Sequence, residues 1–305
     1  MASRHSKQQQ QKVNPVLLAT SAAVALVVVM VVVVISLVGG GGQGQEEESS
    51  GTGVPEGMVL VNDLYEGQRL VPDFDMDLNQ YDTEKFVEEN GFIRYQDGKA
   101  VAGVDVSEHQ GTIDWQQVKD AGFEYAILRV GYRGMTEGGL NVDSTFEQNY
   151  QGATAAGLKV GVYFFSQAIT QEEAREEAQY VLDTLDGREL DYPVVFDWEI
   201  PIPSEQLPAE DLRAYDISGE VVTAMAKAFC QEIRSNGYIP CVYTNKSMAY
   251  NTFNLEELKD FPLWYAEYQP APSLYYHFQM WQYSASGTVP GIAGSVDLNI
   301  CFEPY

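Results

Sequence analysis

The chain has 305 residues, of which 45% are hydrophobic, and a formal net charge of −26. This length allows one large domain with a single core once an N-terminal segment is set aside. The acidic excess argues against nucleic acid as a partner, because a polyanion would be repelled.

An apolar segment near the N-terminus predicts a membrane anchor. Residues 16–38 carry no charge and are dense in valine, leucine and alanine. They are long enough to cross roughly 30 Å of hydrocarbon, whereas a cleaved signal peptide has an apolar region of only about 7 to 15 residues. Lysine and arginine within residues 1–15 and glutamates after the segment orient it by the positive-inside rule. We therefore expect a single-pass membrane protein with a cytoplasmic tail and an extracellular domain.

Two regions separate this segment from the main domain. Residues 39–54, rich in Gly, Gln, Glu and Ser, predict a flexible linker. Residues 55–100 predict a stalk or lead-in region to which no chemistry is assigned. Within it, Asp97-Gly98 follows a short apolar run and indicates a hairpin.

The remaining residues, 101–305, begin with a regular alternation of strand-like and helical runs. The strands are expected at 103–107, 125–131, 159–166, 192–199 and 239–245, and the helices at 115–121, 144–156, 171–185 and 217–235. Five strands that alternate with helices predict βα units and a parallel sheet.

The last part of the chain departs from this alternation. Three strands, at 262–268, 278–284 and 296–302, are joined by loops and preceded only by a short helix at 255–259. Parallel neighbours need a long crossover, so at least one of these strands, most simply the last, should run antiparallel. The predicted fold is an irregular eight-stranded β/α barrel, with five βα units and then three strands without long helices, preceded by one transmembrane helix.

Two carboxylates end the apolar strand at 192–199. Asp197 and Glu199 are two residues apart, so their side chains share one face of the strand. A β/α barrel places its catalytic groups at the carboxyl ends of its strands. The pair therefore predicts an active site, with a solvated strand end as the alternative.

Three other strands also carry an acid, Asp105, Glu267 and Asp297. Burying a carboxylate costs several kcal/mol unless it is paired or used, so several acids at one end of a barrel indicate function. Asp105 alone would also fit a satisfied hydrogen-bond acceptor. Asp297 opens its strand, and it can join the other acids only if that strand descends.

Seven aromatic residues lie on or beside the predicted strand ends and are candidate substrate-binding residues. They are Tyr163, Trp198, Tyr243, Trp264, Tyr268, Trp281 and Tyr283. Flat rings that stack on sugar faces, together with paired carboxylates, are typical of glycoside cleavage. The alternative for any single ring is core packing.

In combination, these motifs resemble glycoside hydrolase family 25, the cell-wall lysozymes or N-acetylmuramidases. The resemblance covers about residues 101–302 and rests on Gly103-Val104-Asp105-Val106-Ser107, Gln110-Gly111, Asp114-Trp115, Gly161-Val162-Tyr163-Phe164-Phe165, Asp197-x-Glu199, Tyr243-Thr244-Asn245, Trp281-Gln282-Tyr283 and Val296-Asp297-Leu298-Asn299. It implies an irregular β/α barrel. It also implies that Glu199 is the general acid/base and that Asp197, Asp105 and Asp297 are the other active-site acids. Phe164, where many relatives have histidine, and the charged Glu267 depart from the family pattern.

The resemblance implies hydrolysis of the β-1,4 bond between N-acetylmuramic acid and N-acetylglucosamine, with peptidoglycan as the partner and without a metal or other cofactor. Asp197 or Asp105 could act as the nucleophile, or the 2-acetamido group of the substrate could attack, and the sequence does not choose between them. Two other functions remain open. One is a catalytically inactive wall-glycan-binding protein on the same scaffold, and the other is a hydrolase of another amino-sugar polymer such as chitin.

Overall fold

The computed structural model describes residues 53–305. The predicted cytoplasmic tail 1–15, the transmembrane helix 16–38 and nearly all of the linker 39–54 lie outside these residues. Among residues 53–305, no helix is both long enough and apolar enough to cross a membrane.

Two antiparallel hairpins precede the barrel. The first joins β1 (Met58–Asp63) to β2 (Gly67–Pro72), and the second joins β3 (Phe86–Glu89) to β4 (Phe92–Tyr95). Both pack on the barrel, and residues 53–305 belong to one compact unit.

The hairpin expected at Asp97-Gly98 is wrong. The second hairpin turns at Asn90 and Gly91, which both have positive φ. Such φ values suit a two-residue hairpin turn, and Asn and Gly tolerate them better than other residues. Asp97 instead accepts hydrogen bonds from the backbone N–H groups of Lys99 and Ala100 and so turns the chain into the barrel.

A nine-stranded sheet follows. Its strands are β5 (Val101–Val106), β6 (Tyr125–Arg133), β7 (Leu140–Val142), β8 (Lys159–Ser166), β9 (Val194–Trp198), β10 (Pro240–Asn245), β11 (Leu263–Ala266), β12 (Met280–Gly287) and β13 (Val296–Cys301). The short strand β7 pairs with β6 beside the barrel, and the other eight strands close into a ring because β5 pairs with both β6 and β13.

Seven strands of the ring ascend and one descends. All neighbouring pairs from β5 through β12 are parallel, whereas β13 is antiparallel to both β12 and β5. The eight-stranded barrel with an antiparallel last strand is therefore confirmed. We call the end where the ascending strands finish the mouth and the opposite end the foot.

The helices follow the predicted alternation. They are α1 (Trp115–Asp120), α2 (Phe146–Ala155), α3 (Gln171–Leu185), α4 (Gly219–Ser235) and α5 (Lys246–Asn251). Asp114, Thr170 and Ser218 cap α1, α3 and α4, each accepting a bond from a backbone N–H in the first turn. The expected helix at 255–259 is a 3-10 turn at Leu255–Leu258, and α5 was not predicted.

Strand alternation divides the packing into an inside and an outside. In β9, Val195 and Asp197 face the barrel interior, whereas Phe196 and Trp198 pack in the main core outside it. The lower interior is filled mainly by rings, sulfur atoms and aliphatic side chains, among them Tyr125, Tyr192 and Met280. All three cysteines, Cys230, Cys241 and Cys301, are buried and free.

Candidate active site

Four acids meet at the mouth. Asp105 lies near the carboxyl end of β5, and Asp297, the second residue of the descending β13, stands directly opposite it in the strand register. Asp197 lies near the end of β9, and Glu199 follows that strand. All four line one cavity of about 190 Å³. The descent of β13 is what brings Asp297 to this end of the barrel.

Amide side chains beneath the cavity hold two of these acids. The Asn299 amide donates to Asp105 Oδ2 at 2.7 Å, and the Gln282 amide donates to the same oxygen at 3.1 Å and to Asp297 Oδ2 at 3.3 Å. The Trp264 indole N–H donates to Asn299 Oδ1 at 2.9 Å. Each amide group is therefore oriented by a second contact, and the Asp105 carboxylate has a fixed position.

Two tyrosine hydroxyls set the orientation of Gln282. Tyr268 donates to Gln282 Oε1 at 2.9 Å and Tyr243 does so at 3.3 Å. With its oxygen accepting these bonds, the amide NH₂ group must face the carboxylates.

Asp105 and Asp297 form a proton-sharing pair. Burial raises the pKa of Asp105 to about 6, although hydrogen bonds from Asn299, Gln282 and Asp297 oppose the rise. Burial, and then the charge of Asp105, raises the pKa of Asp297 to about 9. The two raised pKa values indicate that the pair carries about one negative charge at neutral pH, with the proton favoured on Asp297.

Asp197, in β9, and Glu199, just after it, also favour the neutral form. Burial, followed by the charges of Glu199 and Asp105, raises the pKa of Asp197 well above its usual range. Burial, followed by the charge of Asp105, raises the pKa of Glu199. Glu199 is only half-buried at the mouth, so a ligand can reach its carboxyl group.

One cation lines the same cavity. Arg129 is held at 2.7 Å by Asp143 and at 3.0 Å by Glu108, and its charge lowers the pKa of Asp197 against the larger effect of burial. One oxygen of Asp197, Oδ1, is buried without a hydrogen-bond partner. This oxygen is free to receive a polar group of a ligand.

Four of the seven predicted aromatic residues line the cavity. These are Tyr163, Tyr243, Trp264 and Tyr268. The ring of Trp264 packs edge-on against Tyr243 at 5.1 Å and Tyr163 at 6.2 Å. Tyr268 is 56% exposed and stands at the rim, where its ring is available to a sugar face.

The prediction that Trp198, Trp281 and Tyr283 line the cleft is wrong. Each is buried on the outer face of its strand, because it alternates with a residue that faces inward. The indole of Trp198 donates to the Ala168 carbonyl, and the ring of Trp281 packs on Phe86 of the second hairpin.

The two departures from the family pattern both lie off the cavity wall. Phe164 is buried in the outer core. Glu267 pairs with Lys246 at 2.8 Å and accepts from Ser273, so its charge is neutralised beside the site.

The cavity is also lined by Arg129, Phe165 and Gln282, which the sequence did not predict as site residues, and Asn299 supports it from below. Two-residue spacing gave a usable signal for some of them, since Asn299 lies two residues after Asp297 and Phe165 two after Tyr163. Within residues 53–305, no group of three or more His, Cys, Asp or Glu side chains is arranged to hold a metal ion.

Comparison with known proteins identifies the family of the chain. The sequence profile described as glycosyl hydrolases family 25 matches residues 104–292. The autolytic lysozyme of Clostridium acetobutylicum is 31% identical over 198 residues, 65% of this chain and 54% of the relative. Lysozyme M1 of Streptomyces globisporus is 29% identical, over 67% of this chain and 68% of the relative. The chain thus spans about half the length of the clostridial lysozyme.

Among solved structures, the modular autolysin LytC of Streptococcus pneumoniae, in complex with a synthetic peptidoglycan ligand, shares the fold. The TM-score is 0.57 at 21% identity, over 81% of this chain and 57% of the autolysin. The profile match alone covers more than half of the sequence. The chain belongs to glycosyl hydrolases family 25.

Proposed function

We propose that the chain hydrolyses the β-1,4 bond between N-acetylmuramic acid and N-acetylglucosamine in peptidoglycan. The observation that carries the proposal is the convergence of Asp105, Asp197, Glu199 and Asp297 on one cavity, each with a raised pKa. Glycoside cleavage needs a protonated carboxyl group beside an ionised one, and such a cluster supplies both. The names of the two lysozyme relatives and the ligand of the autolysin support this substrate class.

Glu199 acts as the general acid. Its raised pKa keeps a proton available, and its position past the end of β9 places it at the opening of the cavity. It protonates the leaving oxygen and later removes a proton from the attacking water.

Acids at the floor of the cavity stabilise the positive centre that develops at the sugar. Asp105 carries the negative charge of its pair with Asp297 and stabilises this centre electrostatically. Asp197 has an unpartnered oxygen, which suits it to contact the anomeric carbon or the 2-acetamido group of the substrate. The acetamido group can attack with Asp197 protonated, whereas direct attack by Asp197 requires its ionised form, which burial and the neighbouring charges disfavour.

The identity of the new reducing end tests the reaction. Purified peptidoglycan is digested with the full-length protein, the products are reduced with borohydride, and the reduced sugar is identified by mass spectrometry. We expect muramitol. Reduced glucosamine would indicate the wrong bond, and cleavage of chitin but not of peptidoglycan would indicate another amino-sugar polymer. Binding without any product would indicate an inactive glycan-binding protein.

We also propose that residues 16–38 anchor the enzyme in the cell membrane, with the catalytic domain outside. The uncharged length of this segment and the charges that flank it support the proposal. Protease treatment of intact cells should digest the domain, and fractionation should recover the full-length protein with membranes. Protection of the domain would contradict the orientation, and a soluble form beginning near Gly39 would contradict the anchor.

A further inference from the structure

The tip of the first hairpin, β1–β2, reaches the mouth of the barrel. The hairpin precedes the residues that match the family profile, 104–292. Asp63, at the end of β1, accepts from the Lys246 ammonium at 2.9 Å, and its Oδ2 lies 3.3 Å from the Ser273 hydroxyl oxygen. Lys246 follows the carboxyl end of β10, so this contact lies at the same end of the barrel as the four acids.

Lys246 links the hairpin to the segment after β11. Its ammonium also contacts Glu267 Oε1 at 2.8 Å, and Glu267 in turn accepts from the backbone N–H of Ser273 at 2.6 Å and from its hydroxyl at 2.8 Å. The side chains of Asp63, Lys246 and Glu267 are only 1%, 14% and 9% exposed. Buried charges of this kind demand a defined geometry, because each loses its compensation if a partner moves.

Tyr65 holds the middle of the same segment. Its hydroxyl donates to the Ala271 carbonyl at 2.8 Å and accepts from the Ala271 N–H at 3.0 Å. Residues 267–273, the rim segment, are therefore contacted by the hairpin directly at Ala271 and Ser273 and, through Lys246, at Glu267.

The rim segment carries Tyr268, whose hydroxyl donates to Gln282. The ring of Tyr268 is more than half exposed, so its position depends strongly on the backbone that carries it. The orientation of Gln282 in turn affects both Asp105 and Asp297, because its amide donates to both carboxyl groups.

We propose that the first hairpin is a positioning part of the active site, which fixes the rim segment so that Tyr268 orients Gln282 and presents its ring to the glycan. This inference rests on the proposed peptidoglycan hydrolysis. The hairpin acts through Tyr268 and does not itself touch the reacting atoms.

A double-mutant cycle tests the connection. Tyr65→Phe removes the two bonds to Ala271 while it keeps the ring. We expect a fall in kcat/KM on soluble peptidoglycan fragments of about 3- to 10-fold, the effect of losing one or two hydrogen bonds, mainly through KM. In a Tyr268→Phe background the same change should have little further effect, because the contact it supports is already absent.

Two further variants separate positioning from stability. Tyr95→Phe, in the second hairpin, is the matched control. Among the partners that the structure shows, the Tyr95 hydroxyl accepts only from the Asp82 N–H, so this change should leave kcat/KM unchanged. Lys246→Met should lower kcat/KM, and Lys246→Arg should restore part of it by restoring the charge.

The possible results are distinct. A wild-type protein that does not cleave peptidoglycan overturns both the function and this inference. If the wild-type protein is active, then additive effects of Tyr65→Phe and Tyr268→Phe, or unchanged kinetics in Tyr65→Phe, overturn this inference alone.

Discussion

The mouth and the foot of the barrel interior bury polar groups in opposite ways. At the mouth, Asp105 and Gln282 belong to one connected network of hydrogen bonds around a cavity. At the foot, Tyr125 stacks on Tyr192 at 4.4 Å, and the hydroxyls of both, like that of Tyr305, are buried without a hydrogen-bond partner.

The same strands build both halves. Gly103 lies two residues before Asp105, and Met280 two residues before Gln282. On each strand, therefore, one inward-facing residue lies in the packed foot and the next inward-facing residue lies at the cavity. The comparison shows that the foot buries tyrosine hydroxyls without partners in a packed core, whereas the mouth joins amide and carboxyl groups in a network beside a cavity.

The largest expected effect is that of Glu199→Gln. Removal of a general acid typically lowers turnover by about 10² to 10⁴, and glutamine keeps the shape of the side chain. Release of reducing ends from peptidoglycan measures the loss, and circular dichroism checks that the fold is intact. Near-normal lysis by the folded variant would show that Glu199 is not the general acid.

Asp105→Asn should be the next most damaging change at the mouth. It removes the negative charge of the proton-sharing pair, and we expect a loss of about 10- to 100-fold. The charge of Asp105 raises the pKa of Glu199, so its removal lowers that pKa and moves the basic limb of the pH–rate profile to lower pH. A variant with an unmoved basic limb would show that the two carboxyl groups do not interact.

At the foot, Gly103→Ala should lower the stability of the protein more than its catalytic activity. A Cβ at this position would overlap the Tyr125 ring, which is fully buried and stacked on Tyr192. We expect the free energy of unfolding to fall by about 1 to 3 kcal/mol, measured by denaturant titration. Gly139→Ala, where no atom lies within 4 Å of the added carbon, is the control. Equal stability of the two variants would contradict the tight packing of the foot.

Asp297→Asn should raise the free energy of unfolding of the protein, by an amount that increases as the pH rises. The pKa of Asp297 is raised to about 9 in the folded state, so the unfolded chain releases a proton that the folded protein keeps. Wild-type stability therefore falls as pH rises from about 4 to about 9, and asparagine removes this loss.

The thermal midpoints of Asp297→Asn and wild type should diverge between about pH 5 and about pH 8, with the variant higher. Asp211→Asn, at an exposed position, should show no such divergence. A constant difference between Asp297→Asn and wild type would contradict the raised pKa.

The smallest effect is expected for Tyr125→Phe. Its hydroxyl has no partner, so removal should leave the free energy of unfolding unchanged or raise it by up to about 1 kcal/mol, with activity unaffected. Tyr268→Phe, which removes a bonded hydroxyl at the mouth, should lower activity. Equal effects of the two changes on activity would contradict the difference that we infer between the mouth and the foot.

Much of the barrel could be predicted because its signals are local. The missing crossover after β12 predicted that β13 descends, and this in turn predicted that Asp297 reaches the mouth. Trp198 shows where the reasoning failed, since the alternation that pairs Asp197 with Glu199 already places Trp198 on the other face.

Other features required contacts between distant parts of the chain. Nothing near Lys246 in sequence indicates Asp63, and nothing near Gln282 indicates Tyr243, because tertiary packing alone brings these pairs together. The raised pKa values likewise depend on burial, which no short motif encodes.

The pairing of Asp105 with Asp297 joins the first and the last strand of the ring. Such a pairing closes the longest loop in the barrel and costs more entropy than a local pairing, so we expect it to form late in folding. A slip of one residue between β5 and β13 would turn Asp297 to the outer face and separate the pair. Enzymatic activity therefore reports barrel closure in the correct register, and during refolding it should return after the helical signal has recovered.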